Sequence, residues 1–159
     1  LREAPDVILV GEIRTRETME AALELSNTGH LALSTLHANN AGQAIERVIN
    51  MFPQEMHKQL LLDLSLNVRG IISQRLVRSK DGKRCAALEI LIMPPHIQDL
   101  ILKGDIDEIK VAMEESGKEG MQTFDTALYN LHKEGRIELD EALNNASSRA
   151  NLEAKINFG

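Results

Sequence analysis

The sequence predicts an α/β fold, on three observations. A short apolar run from Asp6 to Val10 closes at Gly11, just before Glu12, as a strand buried on both faces of a parallel sheet would. A helical pattern opening at Thr15 separates it from a second apolar run, Leu31 to Leu36. Strand, helix, strand in that order joins parallel neighbours by a right-handed crossover. Further along, Asp81-Gly82 lies between two β-rich runs and adds an antiparallel hairpin.

Each element has its own local warrant. Thr15 is a cap residue with acidic Glu17 in the turn after it, which starts a helix running to about Asn27, and Gly29 stops it. Ala44, Ile45, Val48 and Ile49 stand at helical spacing within Ala41 to Asn50. Pro53 suits the first turn of a long helix, and Leu60, Leu64, Val68 and Ile71 carry its apolar stripe to about Ile72. Gln74 to Val77 and Cys85 to Met93 are the arms of the hairpin.

After Pro94-Pro95 the character changes to short helices. Ile97, Leu100 and Ile101 begin the first, and Asp105 with Glu108 reads as a cap and its reciprocal partner. Gly117 and Gly120 precede a helix from Thr123 to Lys133, which Gly135 ends before another from about Asp140. The predicted organisation is an α/β part over 1–93 and a small helical subdomain over 94–159.

Composition narrows the function. The 159 residues are 43% hydrophobic, enough for one proper core. A net charge of -6 with no dense basic run argues against a nucleic-acid partner. Cys85 is the only cysteine, so neither an internal disulfide nor a thiolate-rich zinc site is expected, and a reducing, cytosolic setting fits. No apolar stretch approaches the ~20 residues of a membrane span. The methionines are scattered, as core gap-fillers are.

Several residues are candidates for chemistry. Glu12 would stand just past the C-terminal end of a strand, where open α/β sheets collect ligands, although an acid after a small residue also occurs in ordinary turns. His30 and His37 bracket the second strand, and their odd separation directs them to opposite faces of a regular strand, which excludes a simple two-histidine metal face. His37 lies at the same rim as Glu12, where an imidazole can donate to a phosphate oxygen. His30 lies before the strand, where a structural hydrogen bond serves equally well. Arg2 and Arg14 either meet phosphates or pair with neighbouring acids such as Glu17.

Two stretches carry a resemblance. Leu1-Arg-Glu-Ala-Pro-Asp-Val-Ile-Leu-Val-Gly-Glu-Ile-Arg-Thr-Arg-Glu-Thr18 resembles the Walker B segment of secretion and type IV pilus ATPases, and Thr28-Gly-His-Leu-Ala-Leu-Ser-Thr-Leu-His37 resembles their histidine box. Ile71-Ile-Ser-Gln-Arg-Leu-Val77 and Gly120-Met-Gln-Thr-Phe-Asp125 extend the similarity over essentially the whole chain. Assembly and secretion members carry two cysteine pairs after the Gln-Arg-Leu-Val segment; only Cys85 stands here, which favours the retraction (PilT/PilU) branch and a chain without zinc. Ala38-Asn-Asn-Ala and Asp63-Leu-Ser-Leu-Asn67 look more like the PilU type, and Ile97-Gln-Asp-Leu-Ile-Leu-Lys103 resembles a diverged form of the helix motif that PilT needs for retraction.

The resemblance implies a partial RecA-like P-loop NTPase core, followed by the helical subdomain. It implies ATP hydrolysis with Mg2+, in which Glu12 polarises the attacking water and helps organise the magnesium, His37 contacts the γ-phosphate, and Arg14 and His30 bind nucleotide or support the site. Asp6 and Gly11 would belong to the Walker B strand, Gly11 replacing the usual aspartate, and Thr15 departs from the aspartate common after Glu-Ile-Arg. Ile97, Leu100 and Ile101 would either form a buried helix face or transmit motion. The implied setting is a hexamer driving type IV pilus retraction and twitching motility, peripheral to the cytoplasmic side of a bacterial inner membrane. Its partners there would be pilus-base membrane proteins and a related retraction ATPase.

No Gly-x-x-x-x-Gly-Lys-Ser/Thr occurs in the 159 residues. Together with the start at Leu1, this leads to the expectation of a C-terminal portion of a longer motor, inactive alone and prone to self-association or local disorder at the Leu31 to Leu36 edge. The competing expectation is a non-catalytic module that docks on a pilus or secretion machine.

Overall fold

Val7–Glu12 (β1) and Leu31–Thr35 (β2) run parallel, with Val7 opposite Leu31 and Glu12 opposite Thr35. The computed structural model describes residues 5–116 and 120–158. Arg2, Gly117 and the first four residues of the Walker-B-like stretch lie outside them. The helix between the strands, Arg16–Asn27 (α1), starts where Thr15 accepts a hydrogen bond from the Thr18 backbone N–H at 3.4 Å. Threonine and aspartate are both acceptors at this position, so the departure from the family's aspartate keeps the cap.

The strands are not buried on both faces, which corrects the sequence reading. Residues alternate: Ile8 and Val10 are half-buried on the side packed by α1, while Val7, Leu9, Leu31 and Leu33 are exposed on the other. A continuous apolar run signals cover on both sides of a sheet. Among the described residues only one side of this sheet is covered.

Ala41–Asn50 (α2) forms as the spacing predicts, capped by Asn40 Oδ1, which accepts from the Gln43 N–H at 2.8 Å, and it buries Ala41, Ala44, Ile45 and Val48. Instead of one long helix after Pro53, a 3-10 turn at Gln54–Met56 leads into His57–Asn67 (α3). Val68 is extended at ψ 129° and ends the helix there. Ile71 and Ile72 therefore belong to a strand, Gly70–Arg78 (β3), paired antiparallel with Arg84–Ile92 (β4). The helical spacing of Leu64, Val68 and Ile71 coincides with the start of a β-branched alternation, and strand pairing wins. Gly70 permits it, because a Cβ there would come within 3.1 Å of the Leu91 carbonyl oxygen.

Pro95–Lys103 (α4) packs on α3, and Gly104 in the left-handed region (φ 80°) ends it. Glu108–Glu115 (α5) begins where the Asp105 carbonyl accepts from the Glu108 N–H at 3.2 Å. Phe124–Lys133 (α6), Leu139–Asn145 (α7) and Arg149–Phe158 (α8) complete the chain; the last is a helix the sequence reading did not separate.

These elements fall into two compact units. One holds the described residues up to Arg69 with Met93–Ile109; the other holds Gly70–Ile92 with the described residues from Lys110 onward. The grouping interleaves along the chain, whereas the sequence places its boundary at Pro94. In the second unit α6 lies on β4 and α7 on β3, over a core of Val77, Cys85, Phe124, Leu128, Ile137 and Leu152. Two of the motifs that carry the resemblance meet there. The Arg75 guanidinium stacks 4.0 Å from the centre of the Phe124 ring, and Arg75 Nη1 donates to the Asn145 carbonyl at 3.1 Å. Gln122 exchanges backbone hydrogen bonds with Ile90, and Asp125 accepts from the Ser147 and Ser148 backbone N–H groups at 2.7 and 3.0 Å. These motifs therefore act as architecture, fastening helices to the hairpin.

Candidate functional site

The candidate site lies wholly in the first unit, at the C-terminal edge of β1 and β2. Glu12 ends β1 and faces Thr35, the last residue of β2. Gly11 prepares this placement. Its φ of +80° is left-handed, and the register skips Val10 between the Leu9–Leu33 and Gly11–Ser34 pairs, so the strand bulges immediately before Glu12. A bulge bends the strand and re-aims the side chains beyond it. Space is not the reason for glycine, since a Cβ would meet nothing within 4 Å; the backbone angle is.

The bulge is tied to β2. Ser34 Oγ donates to the Gly11 carbonyl at 2.8 Å, Thr35 Oγ1 donates to it at 3.4 Å, and the Ile13 N–H donates to the Thr35 carbonyl at 2.8 Å. The backbone on both sides of Glu12 is thus held while its side chain projects past the sheet.

Both carboxylate oxygens are engaged. Arg14 Nη2 donates to Glu12 Oε2 at 2.6 Å, and His37 Nε2 lies 3.2 Å from Oε1. Side-chain exposure is 24% for Glu12, 73% for Arg14 and 80% for His37, so the acid is the recessed member. The Arg14 hydrogen bond holds the Glu12 carboxyl below its ordinary 4.5; the charges of Arg14, His37 and Arg47 add to this, and partial burial opposes it. Glu12 in turn raises Arg14. The sequence reading offered Glu17 as an example of an acid for Arg14; the partner is Glu12.

A polar hollow of about 560 Å³ adjoins His37, lined also by Asn39, Gln43, Glu46, Arg47 and Asn50. The arrangement is a recessed carboxylate and an imidazole side by side on a sheet edge, with a guanidinium within reach. Such a set can orient a water and stabilise an anionic oxygen. It does not make a metal cage: among the described residues no group of three or more His, Cys, Asp or Glu is placed to hold an ion. One recessed carboxylate fits magnesium that arrives with phosphates and keeps most of its waters.

Other candidates stand elsewhere. His30 lies at the opposite end of β2 from Glu12, with Nδ1 3.2 Å from the Leu25 carbonyl oxygen and 3.0 Å from Thr28 Oγ1, where it finishes the end of α1. Asp6 precedes β1 and is exposed, and its backbone carbonyl accepts from the Leu31 N–H at 2.9 Å. Ile97 and Ile101 are fully buried in α4 and Leu100 is half-buried. Sequence reasoning missed Ser34 and Thr35, whose signal is two hydroxyls closing an apolar strand. It also missed Arg47, the only basic residue in α2.

Comparison with known proteins identifies the family and the fold. The family described as type II/IV secretion system protein matches residues 1–155. The type IV pilus ATPase PilU of Pseudomonas aeruginosa is 51% identical over 100% of this chain, and the retraction ATPase PilT of the same organism is 40% identical over 96%. The chain spans 42% and 44% of the lengths of these two relatives. A crystal structure of the pilus retraction motor PilT with bound ADP superposes with a TM-score of 0.85 at 40% identity, covering 96% of this chain and 43% of that one. The α/β fold of two parallel strands, an antiparallel hairpin and helices thus matches part of the PilT motor's fold, and the chain belongs to the type II/IV secretion system protein family.

Proposed function

We propose that this chain supplies the hydrolytic edge of an ATP-driven motor that retracts type IV pili. The observation that carries the reading is the adjacency of Glu12 and His37 at the C-terminal edge of the parallel strands. The names of its relatives, a pilus ATPase and a pilus retraction ATPase, support the same reading.

Glu12 orients the attacking water and accepts its proton, because a recessed carboxylate just past a strand end points at the ligand edge. His37 meets the terminal phosphate, and Arg14 and Arg47 add positive charge on that side. Magnesium, when bound with ATP, neutralises the phosphate oxygens; in phosphoryl transfer most of the catalysis is positioning and electrostatics. Residues outside these 159 hold the β- and γ-phosphates, so this polypeptide alone does not turn over. The working form is a hexamer at the cytoplasmic face of an inner membrane, beside pilus-base proteins and a related retraction ATPase. No described helix is long and apolar enough to cross a membrane. The α4 face of Ile97, Leu100 and Ile101 couples nucleotide state to motion while remaining packed.

In the complete gene product, Glu12→Gln should abolish ATP turnover while nucleotide still binds. Unchanged turnover removes Glu12 from this role, whereas no ATP turnover by the unaltered complete gene product favours the alternative, a non-catalytic docking module.

A further inference from the structure

We propose that Arg14 restrains Glu12 until a nucleotide phosphate draws it off. This rests on the reading of Glu12 as the residue that orients the water. Arg14 is then a positioning residue that couples phosphate arrival to the readiness of Glu12.

The geometry separates what can move from what cannot. Glu12 is held on both sides, by the hydroxyls on the Gly11 carbonyl and by the Ile13 to Thr35 hydrogen bond. Arg14 belongs to neither β1 nor α1 and is largely exposed, so its side chain is the mobile member of the pair. An ionised carboxylate offers about four acceptor sites, so the 2.6 Å bond does not occupy Glu12 fully. It does commit the negative charge to a guanidinium, which makes the carboxylate a weaker acceptor from water. A guanidinium fork matches phosphate as well as carboxylate, and a terminal phosphate carries more charge than Glu12. A nucleotide at this rim therefore competes directly for Arg14 and releases Glu12 Oε2 toward water.

Exchange of one partner for another has a thermodynamic consequence. Breaking the Glu12–Arg14 pair costs part of the nucleotide's binding energy, so removing the Glu12 charge strengthens nucleotide binding, and only while Arg14 is present. The experiment is a double-mutant cycle on the complete gene product, reading the Kd of a fluorescent, non-hydrolysable ATP analogue without magnesium, so that no carboxylate–metal contact enters the reading. Glu12→Gln should tighten binding by about two- to fivefold, the range of an exposed ion pair. Arg14→Ala should weaken it, and in the Arg14→Ala background Glu12→Gln should change nothing. Arg14→Lys, which keeps the charge and loses the fork, should restore part of the coupling.

Equal tightening by Glu12→Gln in both backgrounds means plain charge repulsion and overturns the exchange, as does no tightening at all. The cycle is read on binding alone. A Glu12→Gln protein that still hydrolyses ATP sinks the hydrolytic reading instead, so the two failures are distinguishable.

Discussion

His37 Nε2 and Glu12 Oε1 lie 3.2 Å apart across the ends of two parallel strands. Twenty-four residues of intervening chain, including all of α1 and β2, bring them to one edge. Parallel pairing puts the C-terminal ends of both strands on the same side, and the bulge at Gly11 directs the acid outward. Most of the expected behaviour follows from these two features.

Glu12 should titrate below its ordinary value of 4.5, because Arg14 hydrogen-bonds its charged form. The sign follows from linkage: with the folded-state value depressed, the pair stabilises the fold above the ordinary value, and that contribution is lost as pH falls through the folded value. A carboxyl-carbon NMR titration checks this, and Arg14→Ala should move the midpoint upward. A midpoint at or above 4.5 in the unaltered protein is the contrary result.

Gly11→Ala should destabilise the chain by about 1–2 kcal/mol, the cost of a left-handed residue with a Cβ. Because the space around Gly11 is open, Gly11→Asn should recover part of the loss. Urea denaturation measures both. Equal stability of all three proteins means that the positive φ is not required.

Phe124→Ala should cost about 3–5 kcal/mol, since the ring is buried at the centre of the second unit and the Arg75 guanidinium stacks on it. Phe124→Leu keeps most of the buried volume and should cost well under half as much. Chemical denaturation followed through the helical signal separates these outcomes, and a loss under about 1 kcal/mol for the alanine variant would show that the ring is not central.

Val7, Leu9, Leu31 and Leu33 line one exposed sheet face, and among the described residues β2 pairs only with β1. The 159-residue chain by itself should associate with rising concentration in sedimentation velocity, as open strand edges do. A monomer at every concentration, with slowly exchanging β2 amides, is the opposite outcome.

Much of this was legible in the residues, for local physical reasons. Thr15 is a cap residue and does cap α1. Asp81-Gly82 turns the hairpin, with Gly82 at φ +79°. The rim position of Glu12 and His37 followed from strand order alone. What failed depends on non-local partners. The spacing of Leu64, Val68 and Ile71 satisfies a helix as well as the run into a strand, and only the pairing of Gly70 with Ile92 decides. Exposure of Leu9 and Leu33 is set by what covers the sheet, which apolar residues do not announce. The bulge arises from register between β1 and β2, so the hydroxyls of Ser34 and Thr35 mark a strand end without naming Gly11 as their partner. Arg14 had acids on both sides in sequence, and the backbone turn after β1 selects Glu12.

The most direct measurement is a crystal structure of the complete gene product with magnesium, ADP and aluminium fluoride, a mimic of the transferring phosphoryl group. The expected result places the Glu12 carboxylate and the His37 imidazole about 3 Å from the fluoride group or its in-line water. Nucleotide phosphates seated away from this edge, with Glu12 and His37 still facing solvent, would contradict the proposed motor chemistry.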